Sequence, residues 1–213
     1  MPNRKPLDII YPTIVNVERF HQIVVSQRGS TGYNSVGLVD VGIEWAKHTI
    51  TYHLDSPGLL VRAGALMFAY VNFHAWADGN KRTALMSTAF FFFLNQFSFD
   101  ITQDAADFTL EVAERWIKNP KATPIEEIEH ITNWLRPRVI PPGVFRGLGR
   151  FMIKNTKLDQ LGWDVALKPW IDKTSKQIDL LAKKNNKKHH HPTTINGPFL
   201  SYRVNGTLPP SPI

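Results

Sequence analysis

The sequence predicts an all-α protein, a helical bundle with a short β flap, followed by a basic C-terminal extension. Three observations carry this. Apolar residues recur at helical spacing through most of the first 140 residues. Capping and proline signals stand at the starts of these periodic stretches. The turn residues Pro141-Pro142-Gly143 then coincide with a change in composition.

The elements follow in order. Phe20, Ile23, Val24 and Gln27 share one face of a helix from about Asn16 to Arg28, ended by Gly29-Ser30-Thr31-Gly32. Leu38 to Thr49 suits a second helix. His48 to Leu54, HTITYHL, alternates enough for a short strand or flap. Asp55-Ser56-Pro57 supplies a cap and a proline at the first helical position, predicting a helix from Pro57 to about Phe73. Leu59, Leu60, Ala63, Leu66, Met67 and Tyr70 form its apolar stripe. Asn80 to Asn95 is apolar on nearly every face and belongs at the centre of the core. Asp104 opens a helix that buries Phe108, Val112 and Trp116, and Thr123-Pro124-Ile125-Glu126 is a capping box for the next. Gly162 to Lys184 holds one more helix, with Pro169 as its kink or start. There is no internal repeat.

Composition narrows the chemistry. The 213 residues are 43% hydrophobic and 20% charged, which excludes wholesale disorder. With no cysteine, any nucleophile or metal ligand is an oxygen or nitrogen. MPNRKPLDII has no signal-peptide run, and the apolar run Ala89 to Leu94 is too short to span a bilayer. A soluble, cytoplasmic protein with no membrane partner is expected. The net charge of +7 is unevenly spread. Residues 1–140 carry 13 Lys and Arg against 14 Asp and Glu, whereas 141–213 carry 12 against 4. This divides the chain into a main domain (1–140), a helical extension (141–184) and a basic tail (185–213), whose composition predicts little ordered structure. His189 to His191 read as part of that solvated tail rather than as a metal site.

The reactive residue types gather in Phe73 to Ala84, FHAWADGNKRTA, a loop between two strong helices. Asn80, Lys81 and Arg82 fall on a helical first turn, where unbonded N–H groups and the helix dipole favour an anion. Gly79 permits close approach, and Lys81 and Arg82 add donors and charge for phosphate. Asp78 is a hard carboxylate suited to Mg²⁺ beside phosphate, and it also suits capping. His74 has the side chain of a general base working near neutral pH.

HAWADGNKRTA resembles the signature of the Fic and Doc (death-on-curing) family, roughly H-x-F-x-(D/E)-(G/A)-N-x-R. It matches at His74, Asp78, Gly79, Asn80 and Arg82, with Trp76 replacing the usual Phe. The wider layout from about Pro12 to Phe99, including the RGSTG turn, is similar to the small Doc-type toxins, so the resemblance covers roughly the first 140 residues. Most family members transfer AMP from ATP and typically have Gly where this chain has Lys81; Doc-like members carry Lys there and place the γ-phosphate at the reaction centre. The resemblance therefore implies a toxin that transfers the γ-phosphate of ATP to a Ser or Thr hydroxyl of a protein such as a translation elongation factor. His74 would be the catalytic base, Asp78 the Mg²⁺ ligand, Gly79 and Asn80 the shapers of the anion hole, and Lys81 and Arg82 the phosphate clamp. Thr49, Ile50, Thr51, Tyr52 and His53 would dock the target segment by strand pairing. No (S/T)-x-x-x-E-(G/N) inhibitory pattern is found, so silencing would come from a separate antitoxin protein. The alternatives are a Fic-type adenylyltransferase and a non-enzymatic module whose basic C-terminal region binds nucleic acid or protein.

Overall fold

The computed structural model describes residues 9–27, 29–49, 58–102, 104–140, 168, 171–180 and 183. Helix α1 (Ile14–Gln27) starts two residues before the periodicity suggests, because Thr13 and Asn16 cap each other. Asn16 Oδ1 accepts from the Thr13 amide at 3.0 Å, and Thr13 Oγ1 accepts from the Asn16 amide at 3.2 Å. Helix α2 (Gly37–Glu44) runs into a π-helical turn, Trp45–Thr49.

That turn agrees with the helix expected to Thr49 and corrects only the first two residues of the strand expected from His48. Lys47 Nζ and His48 Nε2 both reach back to Glu44, at 2.6 and 3.2 Å, so this stretch follows the helical i+3 and i+4 pairing. His48 and Thr49 are helical. Ile50, Thr51, Tyr52, His53 and Leu54 lie outside the described residues.

The next helix, α3 (Leu59–Asn72), also departs from expectation at its start. Gly58 is its N-cap, with extended φ −70° and ψ 170°, so the helix begins two residues after Pro57. Asp55 to Pro57 lie outside the described residues. From Ala63 to Asn72 every residue of α3 is buried. It packs along α4 (Asn80–Leu94), buried continuously from Thr83 to Leu94, and α4 packs in turn on α1. This central pair holds the loop 73–79 between two rigid helices.

Helix α5 (Ala105–Lys118) and helix α6 (Pro124–Leu135) complete the bundle. The capping box of α6 forms as predicted: Thr123 Oγ1 accepts from the Glu126 amide at 3.3 Å, and the Thr123 amide donates to Glu126 Oε2 at 2.8 Å. A 3₁₀ turn, Arg136–Arg138, leads into β2 (Val139–Ile140), which pairs antiparallel with β1 (Ser98–Phe99). This two-residue ladder is held down by Arg138, whose guanidinium donates to Asp104 Oδ2 at 2.6 Å and lies 4.2 Å from the Trp134 ring.

In the extension, residues 171–180 form helix α7. Ile171 and Ile178 join the core, Gln27 Nε2 donates to Ser175 Oγ at 3.1 Å, and Gln177 Nε2 donates to the Ile101 carbonyl at 2.6 Å. Pro169 and the tail 185–213 lie outside the described residues. No described helix is long and apolar enough to cross a membrane.

Candidate active site

His74 occupies the position just past the C-terminus of α3. Phe73 caps that helix with its amide on the Ala69 carbonyl at 2.8 Å, and His74 then turns left-handed with φ +48°. Glycine is usual at this position. A histidine held there costs backbone strain of order 1 kcal/mol that surrounding contacts must offset. The Asn34 amide Nδ2 supplies one such contact, donating at 3.0 Å to both the His74 and Trp76 carbonyls.

The turn after α1 forms a second wall of the loop. The Asn34 and Ser35 amides donate to the Ala75 carbonyl at 2.9 and 3.1 Å, and the Ala77 amide donates to the Gly32 carbonyl at 3.0 Å. Tyr33 and Trp76 form an antiparallel bridge. From below, Asn80 uses its whole amide on one residue, accepting from the Trp76 N–H at 3.1 Å and donating to the Trp76 carbonyl at 2.7 Å. Asn80 therefore shapes the loop from beneath rather than presenting its amide to a ligand.

Gly79 completes the turn as the N-cap of α4, left-handed with φ +80°. A Cβ there would lie 3.0 Å from Val25 Cγ1 and 3.3 Å from His21 Cε1, so the left-handed conformation favours glycine and the fit around it is tight. No side chain caps this helix start, which leaves its first-turn amides suited to an anion.

Asp78 is half-exposed beside that helix start. Its Oδ1 accepts from the Gly79 amide at 2.5 Å, while Oδ2 faces the Ser30 amide at 3.4 Å and Arg82 Nη2 at 3.7 Å. Gly29, with φ +132°, lies so close over this pair that a Cβ would stand 2.4 Å from Asp78 Oδ2. Arg82 is mostly buried and is anchored by Nη1 donating to the Val24 carbonyl at 2.7 Å.

Electrostatics follow from this packing. Burial, and then the Lys81 cation, hold the His74 imidazole below the usual histidine range, which keeps it neutral and able to accept a proton. Burial likewise lowers the Lys81 ammonium, with Asp78 and then Glu114 opposing. Among the described residues no group of three or more His, Asp or Glu side chains could cage a metal by itself. A single carboxylate beside a phosphate-type site fits Mg²⁺ that arrives with a nucleotide and keeps phosphate and water ligands. Asp78 is the residue that would hold it.

His74, Asp78, Gly79, Asn80, Lys81 and Arg82 are thus brought together on one loop and the first turn of α4. Of the expected flap residues only Thr49 is described, at the end of the π-helical turn. Two residues of the site were not singled out from the sequence. His21 sits on the apolar stripe Val17, Phe20, Val24 of α1, a spacing that marks it as inward-facing. Asn34 follows a turn-rich run, but its two carbonyl partners lie 40 and 42 residues away and leave no local signal.

The sequence model of the Fic/DOC family matches residues 11–92, a span from the approach to α1 through most of α4. This part of the chain is similar to the Fic/DOC family. Members of that family are generally enzymes that transfer nucleotide-derived groups to proteins. No curated protein matches the chain.

Proposed function

We propose that the protein is a Doc-like transferase that moves the γ-phosphate of ATP, with Mg²⁺, to a Ser or Thr hydroxyl of a protein target. The observation that carries this reading is Lys81. It stands between Asn80 and Arg82 with its ammonium largely buried, close enough to depress the His74 pKa and to be drawn by Asp78. A bulky cation there occupies space that glycine would leave open over the first turn of α4, which favours delivery of the terminal phosphate rather than a cradle for inner phosphates.

Each residue then has a defined task. His74, neutral at physiological pH, takes the proton from the acceptor hydroxyl. The hydroxyl oxygen bonds to the γ-phosphorus as the bond to the β-phosphate oxygen breaks. Mg²⁺ supplies charge neutralisation for the phosphates, and Asp78 is the group that would hold it. The α4 amides, Lys81 and Arg82 stabilise the charge that develops. Asn80, Asn34 and Gly79 fix the loop so that these groups need not reorganise.

The reading includes a cytoplasmic toxin role, with a separate antitoxin as partner and the segment from Thr49 to His53 docking the target. Domain limits at 1–140, 141–184 and 185–213 belong to the same proposal. Neither the described residues nor the family match supports nucleic-acid binding.

The test is mass spectrometry of host proteins incubated with the protein, Mg²⁺ and ATP, with His74→Ala as control. A His74-dependent gain of one phosphate, about 80 Da, is expected on a Ser or Thr. A gain of AMP would overturn the phosphoryl assignment and leave a Fic-type adenylyltransferase. No modification of any host protein would count against the enzyme.

A further inference from the structure

The imidazole of His21 lies beneath the loop and touches both of its flanks. Its ring is stacked on Trp76 with centroids 4.5 Å apart and planes 10° from parallel. Its Nδ1 is hydrogen bonded to Thr83 Oγ1 at 3.3 Å, one residue past Arg82 on α4. Its Cε1 edge lies 3.3 Å from where a Gly79 Cβ would stand. A single ring therefore supports Trp76, two residues after His74, and the glycine at which α4 begins.

Packing alone does not account for a histidine here. The side chain is buried, and Nε2 has no hydrogen-bond partner among the described residues. Burying a polar atom in that way is unfavourable compared with an apolar ring of similar size. What the imidazole adds to its flat face is the Nδ1 bond, which ties the ring plane to α4 and so sets the height and tilt at which Trp76 rests. Trp76 is itself fixed through its backbone by Asn80 and Asn34. The ring, the loop and the helix start thus form one rigid unit.

We propose that His21 is a positioning residue for His74: through Trp76 and Gly79 it holds the left-handed turn that aims the catalytic imidazole relative to the first turn of α4. This rests on the transferase reading above. It requires that loosening the ring change the rate of the chemical step more than nucleotide affinity, because a misaimed base loses rate while the phosphate site stays built.

The experiment uses the full chain and compares His21→Ala, His21→Phe and Thr83→Val with Leu135→Ala, a buried truncation on α6. Three quantities are read: kcat, KM for ATP, and hydrogen exchange of the amides from Ala75 to Asn80. His21→Ala should lower kcat about 10- to 100-fold with KM changed less than about 3-fold, and should accelerate loop exchange about 10-fold or more. His21→Phe should restore exchange protection through its stacking face but recover kcat only in part. Thr83→Val, which removes one hydroxyl, should lower kcat about 3-fold and folds even if His21→Ala does not. Leu135→Ala should destabilise the protein while leaving kcat per folded molecule and loop exchange unchanged.

Faster loop exchange with an unchanged kcat would overturn the proposal and leave His21 a structural residue. Equal effects from Leu135→Ala would overturn it as general loosening. If the wild-type protein transfers nothing to any target, the transferase reading fails, and unchanged loop exchange in the variants would separately overturn the support that His21 gives the loop.

Discussion

The two ends of α4 use the same device for different purposes. At its N-terminus Asn80 embraces the backbone of Trp76, accepting from its N–H and donating to its carbonyl. Just past its C-terminus Asn95 does the same to Ile10, accepting from the N–H at 3.0 Å and donating to the carbonyl at 2.8 Å. Around Asn80 the neighbours are polar or left-handed: His74, Asp78, Gly79, Lys81 and Arg82. Around Asn95 they are aromatic, with Phe91 on Tyr11 at 5.1 Å, Phe92 on Phe99 at 5.6 Å and Phe90 on Phe20 at 5.1 Å. Strained backbone and charge surround one amide clamp and rings the other, so in the proposed function the first holds a chemical site while the second secures the fold.

Substitutions that separate the two ends should give opposite signatures. His74→Asn, which tolerates the left-handed turn but cannot act as a base near neutral pH, should reduce transfer about 10²- to 10⁴-fold with little change in melting temperature. Phe92→Ala at the other end should cost about 3–5 kcal/mol of unfolding free energy, read by denaturant titration, while transfer per folded molecule stays near wild type. Retained activity in His74→Asn, or a catalytic defect specific to Phe92→Ala, would break the comparison.

The paired asparagines sharpen it. Asn80→Ala removes the acceptor of the Trp76 N–H and one of the two donors to its carbonyl, Asn95→Ala removes both side-chain partners of the Ile10 backbone, and each should destabilise by about 1–3 kcal/mol. Only Asn80→Ala should also lower kcat, since only its clamped residue belongs to the loop. Equal kcat losses in the two variants would show that the clamp at Trp76 has no special relation to the chemistry.

The difference between the ends also governs what could be read before the fold was seen. The aromatic end follows from composition, because Phe90 to Phe93 have nowhere to go but a core. The loop was legible as a motif because its residues are contiguous. The supports of that loop were less so: His21 and Asn34 act across more than 35 residues, and neither residue type announces a distant backbone partner. Local boundaries failed for local reasons. The Thr13–Asn16 cap moved the start of α1 forward, Gly58 rather than Pro57 marks the start of α3, and Glu44 holds His48 in the helical turn where alternation from that residue had suggested a strand. The β1–β2 ladder, two residues long on each side, has no periodicity to detect.

The smallest effect tests the electrostatic side of the polar end. Burial and the Lys81 cation both disfavour the His74 imidazolium, so the base form should persist below the ordinary histidine value of 6.5. The acid limb of kcat should accordingly fall below that pH, with transfer retained as the solution is acidified through 6.5 and lost only at lower pH. Lys81→Met keeps the length of the side chain and removes its charge, so the limb should move upward. Burial, the larger cause, remains and prevents a full return to 6.5. The linked stability has the same sign: a neutral buried His74 contributes fully above 6.5, and the contribution is lost as pH falls towards its lowered folded value, because the unfolded chain takes up the proton first. A pH–rate profile for the two proteins decides the matter. A limb that stays in place in Lys81→Met would mean that the lysine does not act on His74 through its charge, and the principal observation behind phosphoryl rather than adenylyl transfer would lose its electrostatic half.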